Sequence, residues 1–136
     1  MGDALRVEDH GAVRNLVLCR PDELNTITLG LRDELDAELD AADADNSVRV
    51  VLVRAEGRAF CAGFGLDWST VAQSEHEGTE STSRVWDTVA DVQMIGLFGN
   101  TFAKLHSISK PTLAAVQGWC IAGGTDMILN ADLIVA

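Results

Sequence analysis

The sequence predicts an α/β fold, and three observations carry that prediction. Apolar runs of strand length, at Val48–Val53, Thr112–Val116 and Leu133–Ala136, alternate with segments of helical periodicity. The run Val48-Arg49-Val50-Val51-Leu52-Val53 has the composition of a strand buried inside a parallel sheet. Between the last two runs stands Gly123-Gly124, just before Thr125-Asp126-Met127-Ile128-Leu129, a short helix candidate. Strand, glycine-marked turn, helix and strand make a βαβ-like unit.

Taken in order, Leu5-Arg6-Val7-Glu8 alternates as an edge strand does, and Asp9-His10-Gly11 reads as a turn into Val13–Leu18, so the chain starts with a β-hairpin. His10 beside the turn glycine reads as solvated. Arg20-Pro21-Asp22-Glu23 ends the second strand and opens a loop through Leu24-Asn25-Thr26. Thr28 is an N-cap candidate for a helix on which Leu31, Leu35, Leu39 and Ala42 recur at helical spacing. Asp43–Ser47 stops that helix. After Val53, Arg54–Arg58 reads as a polar turn, and Ala59–Trp68 places small residues and glycines between large apolar ones. Such a stretch at the carboxyl end of a strand is where open α/β folds put ligands; it equally describes a tight loop that buries Phe60 and Phe64. Gln73–Ser83 is acidic and hydroxyl-rich, the composition of a surface loop, and His76 within it lacks any ligand spacing. From Arg84 to Ile108 the pattern is helical, with Val85, Val89 and Val92 on one face and Phe98, Phe102 and Leu105 further along. Gly96 and Gly99 predict a kink or a division into two helices. Helical spacing favours Phe98 and Phe102 as core over pocket lining.

Composition narrows function. The chain of 136 residues suits one domain, 1–136, with no internal repeat. Its net charge of -11, from 21 acidic and 10 basic residues, argues against nucleic acid and anionic membrane surfaces as partners. Cys19, Cys61 and Cys120 are odd in number and far apart, which fits neither a disulfide framework nor a zinc site. Met1–Arg6 has neither a basic n-region nor an apolar h-region, and no apolar run reaches membrane-spanning length, so a soluble cytoplasmic protein is expected. Gly118 to Gly124 has phosphate-loop glycine spacing without the following Lys-Ser/Thr; GxGxxG after the first strand and GxSxG are both missing.

The glycine pair supports two readings. Glycine lets backbone approach a ligand, and the first N–H groups of a helix have no intrahelical acceptor, so they can face an anion or oxyanion with Asp126 in the first turn nearby. Alternatively Gly123-Gly124 only packs helix on strand, and Asp126 complements the helix dipole.

Two glycine-bearing stretches, each after a strand, together with Arg20-Pro21-Asp22-Glu23-Leu24-Asn25, resemble the crotonase superfamily, the enoyl-CoA hydratase/isomerase family. Phe60-Cys61-Ala62-Gly63-Phe64-Gly65-Leu66-Asp67 is similar to its first signature. Lys110-Pro111-Thr112 through Gly118-Trp119 and Ala122-Gly123-Gly124-Thr125-Asp126, ending Ala131-Asp132-Leu133, is similar to its second. The resemblance covers essentially the whole chain. It implies a β-β-α spiral (the ClpP/crotonase fold), truncated here before the C-terminal helices, and homotrimers or hexamers. It implies an acyl-CoA thioester substrate, with coenzyme A arriving on it and no other cofactor or metal. The N–H groups of Phe64 and Gly123 would hold the thioester oxygen as an enolate forms, and Asp126 would handle the proton or orient water. Asp22 and Leu24 belong to the loop that touches coenzyme A, Ala62, Gly65 and Leu66 would flank the thioester, and Gln73–Ser83 would border the acyl pocket. Two positions depart from the pattern. Hydratases carry glutamate where Asp126 stands, and the shorter side chain draws its carboxylate back by roughly 1.5 Å; aspartate there resembles the dienoyl-CoA isomerases. Gly65 occupies the usual aspartate position, with Asp67 slightly later. A second hydratase glutamate would lie beyond Ala136, so this stretch supplies one carboxylate at most; the resemblance implies hydration of 2-enoyl-CoA, with double-bond isomerisation or acyl-CoA binding without catalysis as the alternatives.

Overall fold

The computed structural model describes residues 4–65 and 88–136, and within them the chain begins with the expected hairpin. Strand β1 (Leu5–His10) pairs antiparallel with β2 (Val13–Leu18), Leu5 opposite Leu18 and His10 opposite Val13. Helix α1 (Leu29–Ala44) is capped by Thr28, whose Oγ1 accepts the Leu31 N–H at 3.1 Å, and its repeating Leu31, Leu35, Leu39 and Ala42 are all buried.

Strand β3 (Val50–Ala55) lies parallel to β2, from Val13 opposite Val50 to Leu18 opposite Ala55. It starts two residues later than the apolar run predicts. Val48 is buried, but its N–H closes the turn after α1 by donating to the Asp45 carbonyl at 3.1 Å, which keeps it out of the ladder. Strand β5 (Thr112–Ala115) continues the sheet parallel to β3, and β7 (Leu133–Val135) parallel to β5, giving the order β1-β2-β3-β5-β7. Two very short strands, β4 (Ala59–Cys61) and β6 (Trp119–Cys120), pair with each other in parallel beside this sheet.

Helix α2 (Thr88–Ser107) runs without interruption through Gly96 and Gly99, contrary to the expected division. A Cβ at either glycine would meet nothing within 4 Å, so both lie in open space. Each costs helix propensity of about 1 kcal/mol, and the burial of Phe98, Phe102 and Leu105 outweighs it. Val89 and Val92, expected on an apolar face, are exposed. The two long helices are fastened together by Lys104, whose Nζ stands 2.9 Å from Asp36 and 2.8 Å from Asp40, while Thr101 Oγ1 donates to Asp36 at 2.8 Å. The core joins Leu16, Leu18, Val51, Val53 and Ala114 of the sheet to Phe60 of β4, the α1 leucines and the buried end of α2.

The βαβ unit predicted at the carboxyl end is present: β5 and β7 are parallel neighbours, with helix α3 (Gly123–Ile128) between them. Asp132 and Thr112 lock its two strands. Thr112 N donates to Asp132 Oδ2 at 2.8 Å, Asp132 N donates to Thr112 Oγ1 at 3.1 Å, and the threonine hydroxyl also donates to the Leu105 carbonyl at 2.6 Å. Among the described residues no helix is long and apolar enough to cross a membrane.

Candidate active site

The Arg20–Asn25 loop is built to be immobile at its last residue. Leu24 and Asn25 both have left-handed backbone, at φ 53 and 52, a conformation asparagine tolerates better than most residues. Asn25 is buried and its carboxamide is fully used: Oδ1 accepts the Arg20 N–H at 2.9 Å, and Nδ2 donates to the carbonyls of Glu56 at 2.9 Å and Ala59 at 3.0 Å. The Leu24 carbonyl accepts the Ala62 N–H at 3.0 Å. Gly57 presses on Pro21 so closely that a Cβ there would lie 2.6 Å from the proline ring. The loop is thereby fixed to the entry of the first glycine stretch. Asp22 is exposed at its surface and Leu24 half-buried beneath it. An open depression of about 560 Å³ is lined by Cys19, Arg20, Pro21, Asp22 and Glu23.

The first stretch then takes an unusual path. Gly63, at φ 92, directs the chain into a single parallel bridge between Ile27 and Phe64. The bonds of that bridge are made by the neighbours of Phe64: Ile27 N donates to the Gly63 carbonyl at 2.8 Å, and Gly65 N donates to the Ile27 carbonyl at 3.0 Å. In a parallel bridge this leaves the bridging residue's own N–H and C=O pointing away from the partner strand. The Phe64 amide therefore faces away from Ile27.

The second stretch comes alongside from β6. Ile121 N donates to the Cys61 carbonyl at 3.0 Å, and Ala122 turns the chain with φ 48 and ψ -118. Such a left-handed alanine costs on the order of 1–3 kcal/mol, and it delivers Gly123 to the start of α3. The two stretches touch: a Cβ on Gly63 would sit 3.0 Å from the Ile121 carbonyl and 3.6 Å from the Gly123 nitrogen. The two glycines differ in how their amides are used. Gly124 serves packing, since a Cβ would meet Cys61 Cβ at 2.8 Å and its carbonyl at 2.9 Å, and its N–H is spent on the Ile121 carbonyl at 2.9 Å. Gly123 also packs tightly, a Cβ there lying 2.5 Å from Phe64 Cε2 and 2.9 Å from Ile27 Cδ1, but among the described residues its N–H has no protein acceptor. With α3 only six residues long, the donor strength at Gly123 comes from its own amide more than from a helix dipole.

Asp126 is exposed on α3, and its side chain makes no hydrogen bond or ion pair among the described residues; its backbone carbonyl accepts Asn130 Nδ2 at 2.8 Å. Ala62 is half-buried, as is Gly65. Leu66, Asp67 and the Gln73–Ser83 loop lie outside the described residues. Burial pushes the Cys61 thiol up to about 11, away from the reactive thiolate form, and its sulfur accepts the Gly63 N–H at 3.4 Å. Burial raises the Cys120 thiol as well. No cluster of three metal-ligating side chains occurs among the described residues.

Three contributors carry no sequence reading of their own, and a fourth does more than its reading says. Ile27 supplies the bridge, and Gln117 ties β5 to the end of β3 by donating to the Ala55 carbonyl at 2.9 Å. Ala122 supplies the strained turn. Phe98 is core, as its spacing indicates, yet its ring also meets Phe64 edge-on at 5.1 Å between centroids. Of these Gln117 and Ala122 stood inside a recognised motif, and only the polarity of Gln117 amid apolar residues was an available signal.

A mixed sheet whose two glycine stretches meet beside a parallel core defines a crotonase-type α/β protein. The profile of the enoyl-CoA hydratase/isomerase family matches residues 8–136, and the chain belongs to that family. A dienoyl-CoA isomerase, Delta(3,5)-Delta(2,4), of Dictyostelium discoideum mitochondria is 32% identical over 131 residues, covering 95% of this chain and 44% of that protein. A probable enoyl-CoA hydratase of Rhizobium meliloti is 31% identical over 140 residues, covering 98% and 46%. The crystal structure of an enoyl-CoA hydratase from Mycobacterium smegmatis superposes with a TM-score of 0.84 at 34% identity, covering 97% of this chain and 46% of that one. The fold is thus that of crotonases, and the chain spans a little under half the length of these relatives.

Proposed function

We propose that the whole protein is an enoyl-CoA hydratase-like enzyme that adds water across the double bond of 2-enoyl-CoA thioesters. The observation that carries this is the close approach of Gly63 to Gly123, whose N–H has no acceptor among the described residues, beside a Phe64 amide turned from its bridge partner. As water oxygen bonds to carbon 3, electrons move through carbon 2 onto the thioester oxygen. The Phe64 and Gly123 amides hold that charge, a contribution of about 10²–10³ in rate per donor in enzymes where it has been measured. Asp126 orients the water, takes its proton as the oxygen bonds to carbon 3, and returns that proton to carbon 2 to complete the addition. Asp22 and Leu24 sit on the loop that meets coenzyme A, and Ala62, Gly65 and Leu66 flank the thioester. Coenzyme A enters on the substrate, with no separate cofactor. The proposal extends to trimers or hexamers, which family likeness supports, and to the cytoplasm, which rests on the odd, scattered cysteines and not on the relatives, one of them mitochondrial.

Asp126 favours a second reading, isomerisation of enoyl or dienoyl thioesters, because one aspartate can shuttle a proton between carbons without capturing water, and a dienoyl-CoA isomerase is among the relatives. Turnover of crotonyl-CoA separates the readings. Hydration that collapses in Asp126→Ala supports the hydratase; double-bond migration without water uptake supports the isomerase. Acyl-CoA binding with neither reaction reduces the chain to a binding module.

A further inference from the structure

We propose that the Phe64 phenyl ring is a selectivity wall, so that the site accepts 2-enoyl thioesters unbranched at carbon 2 and rejects those carrying a methyl group there. The inference rests on the two-amide reading above and goes beyond it by assigning a role to a side chain where that reading uses only backbone.

The ring is held in place on two sides. Its Cε2 and Cδ2 lie 2.5 and 2.8 Å from where a Cβ on Gly123 would stand, so it covers the Cα of the residue whose amide is the proposed donor. It meets Phe98 edge-on at 88° with centroids 5.1 Å apart, and Phe98 is itself 2% exposed and backed by Phe102 at 6.5 Å. The backbone beneath the ring is pinned by both hydrogen bonds of the Ile27 bridge. A residue fixed this way by buried neighbours is a wall and not a swinging gate, and 37% of it is exposed.

A thioester oxygen accepting the Gly123 N–H has its carbon 2 only about 2.4 Å from that oxygen, as bond lengths and angles dictate. The phenyl that touches the Gly123 Cα is therefore within reach of any substituent on carbon 2. A flat, unbranched enoyl group can lie along the ring, whereas a 2-methyl group must displace it from Phe98. One methyl group in an apolar site shifts discrimination by about 10–200-fold.

Calorimetric titration of the chain with crotonyl-CoA and with its 2-methyl analogue, tiglyl-CoA, tests this, using wild type, Phe64→Ala and Phe64→Leu. The wild type is expected to bind crotonyl-CoA at least about tenfold more tightly. Phe64→Ala should lower that ratio by about tenfold, mainly through tighter tiglyl-CoA binding, with Phe64→Leu between. An unchanged ratio in folded variants, or equal binding of both thioesters by the wild type, overturns the wall while leaving the amide reading intact. Wild type that binds neither thioester overturns the amide reading, and the wall with it. Should Phe64→Ala lose its native circular dichroism, Phe64→Leu decides.

Discussion

Asn25 Nδ2 reaches across 34 residues of sequence to donate to the buried carbonyl of Ala59 at 3.0 Å. With its companion bonds to Glu56 and Arg20, this one side chain joins the loop after β2 to the strand that leads into Phe64. Asn25→Ala leaves those carbonyls without a donor and forces alanine into left-handed backbone. We expect a loss of about 2–4 kcal/mol of stability, read as a lowered urea midpoint with unchanged slope. A change under about 0.5 kcal/mol would show that the loop is held by other means.

The glycines divide into those that packing requires and those it does not. Gly124→Ala puts a methyl against the Cys61 backbone and is expected to cost about 1–3 kcal/mol or more. Gly99→Ala, with open space around it in the middle of α2, should instead stabilise by about 0.5–1 kcal/mol. Thermal melts of the two variants moving in the same direction would refute this division.

Acid should unfasten α1 from α2. Hydrogen bonding to Lys104 holds the Asp36 carboxyl below its ordinary value, with Thr101 adding to the effect. A carboxyl depressed in the folded state releases its proton more readily there than in the unfolded chain, so its contribution is complete above the unfolded value near 4 and is lost as pH falls through the folded one. Arg14 holds Asp9, and Arg6 with Arg54 holds Glu8, low in the same sense. Stability is therefore expected to fall with decreasing pH from about 5 downward, and Asp36→Asn should flatten part of that dependence. Denaturation midpoints at pH 7, 4 and 3 check both; an Asp36→Asn profile parallel to wild type contradicts the assignment.

Much of this fold is legible in the sequence because its signals are local. The leucine spacing of α1 and the cap at Thr28 depend on neighbours within a few residues, and both appear as read. The same holds for the hairpin and the final βαβ unit. Strands β4 and β6 escaped because three- and two-residue strands carry no periodicity, and each exists only by virtue of its distant partner. The helix through Gly96 and Gly99 was misjudged since glycine weakens a helix locally, whereas burial of Phe98 and Phe102 acts at long range. The motifs marked the segments that come together around Gly63 and Gly123. They did not disclose that Phe64 and Phe98 meet edge-on or that Ala122 is left-handed, because side-chain contact and backbone strain are properties of the assembled turn.

The central claim is that the Phe64 and Gly123 amides share one thioester oxygen. Nitrogen-edited NMR of the chain during titration with acetyl-CoA addresses it most directly, since an amide proton that gains a hydrogen bond to oxygen moves downfield. Joint downfield movement of both signals, saturating at the same ligand concentration, is the expected result. Saturating binding that leaves either amide unmoved, or moves the two with different midpoints, would contradict the account.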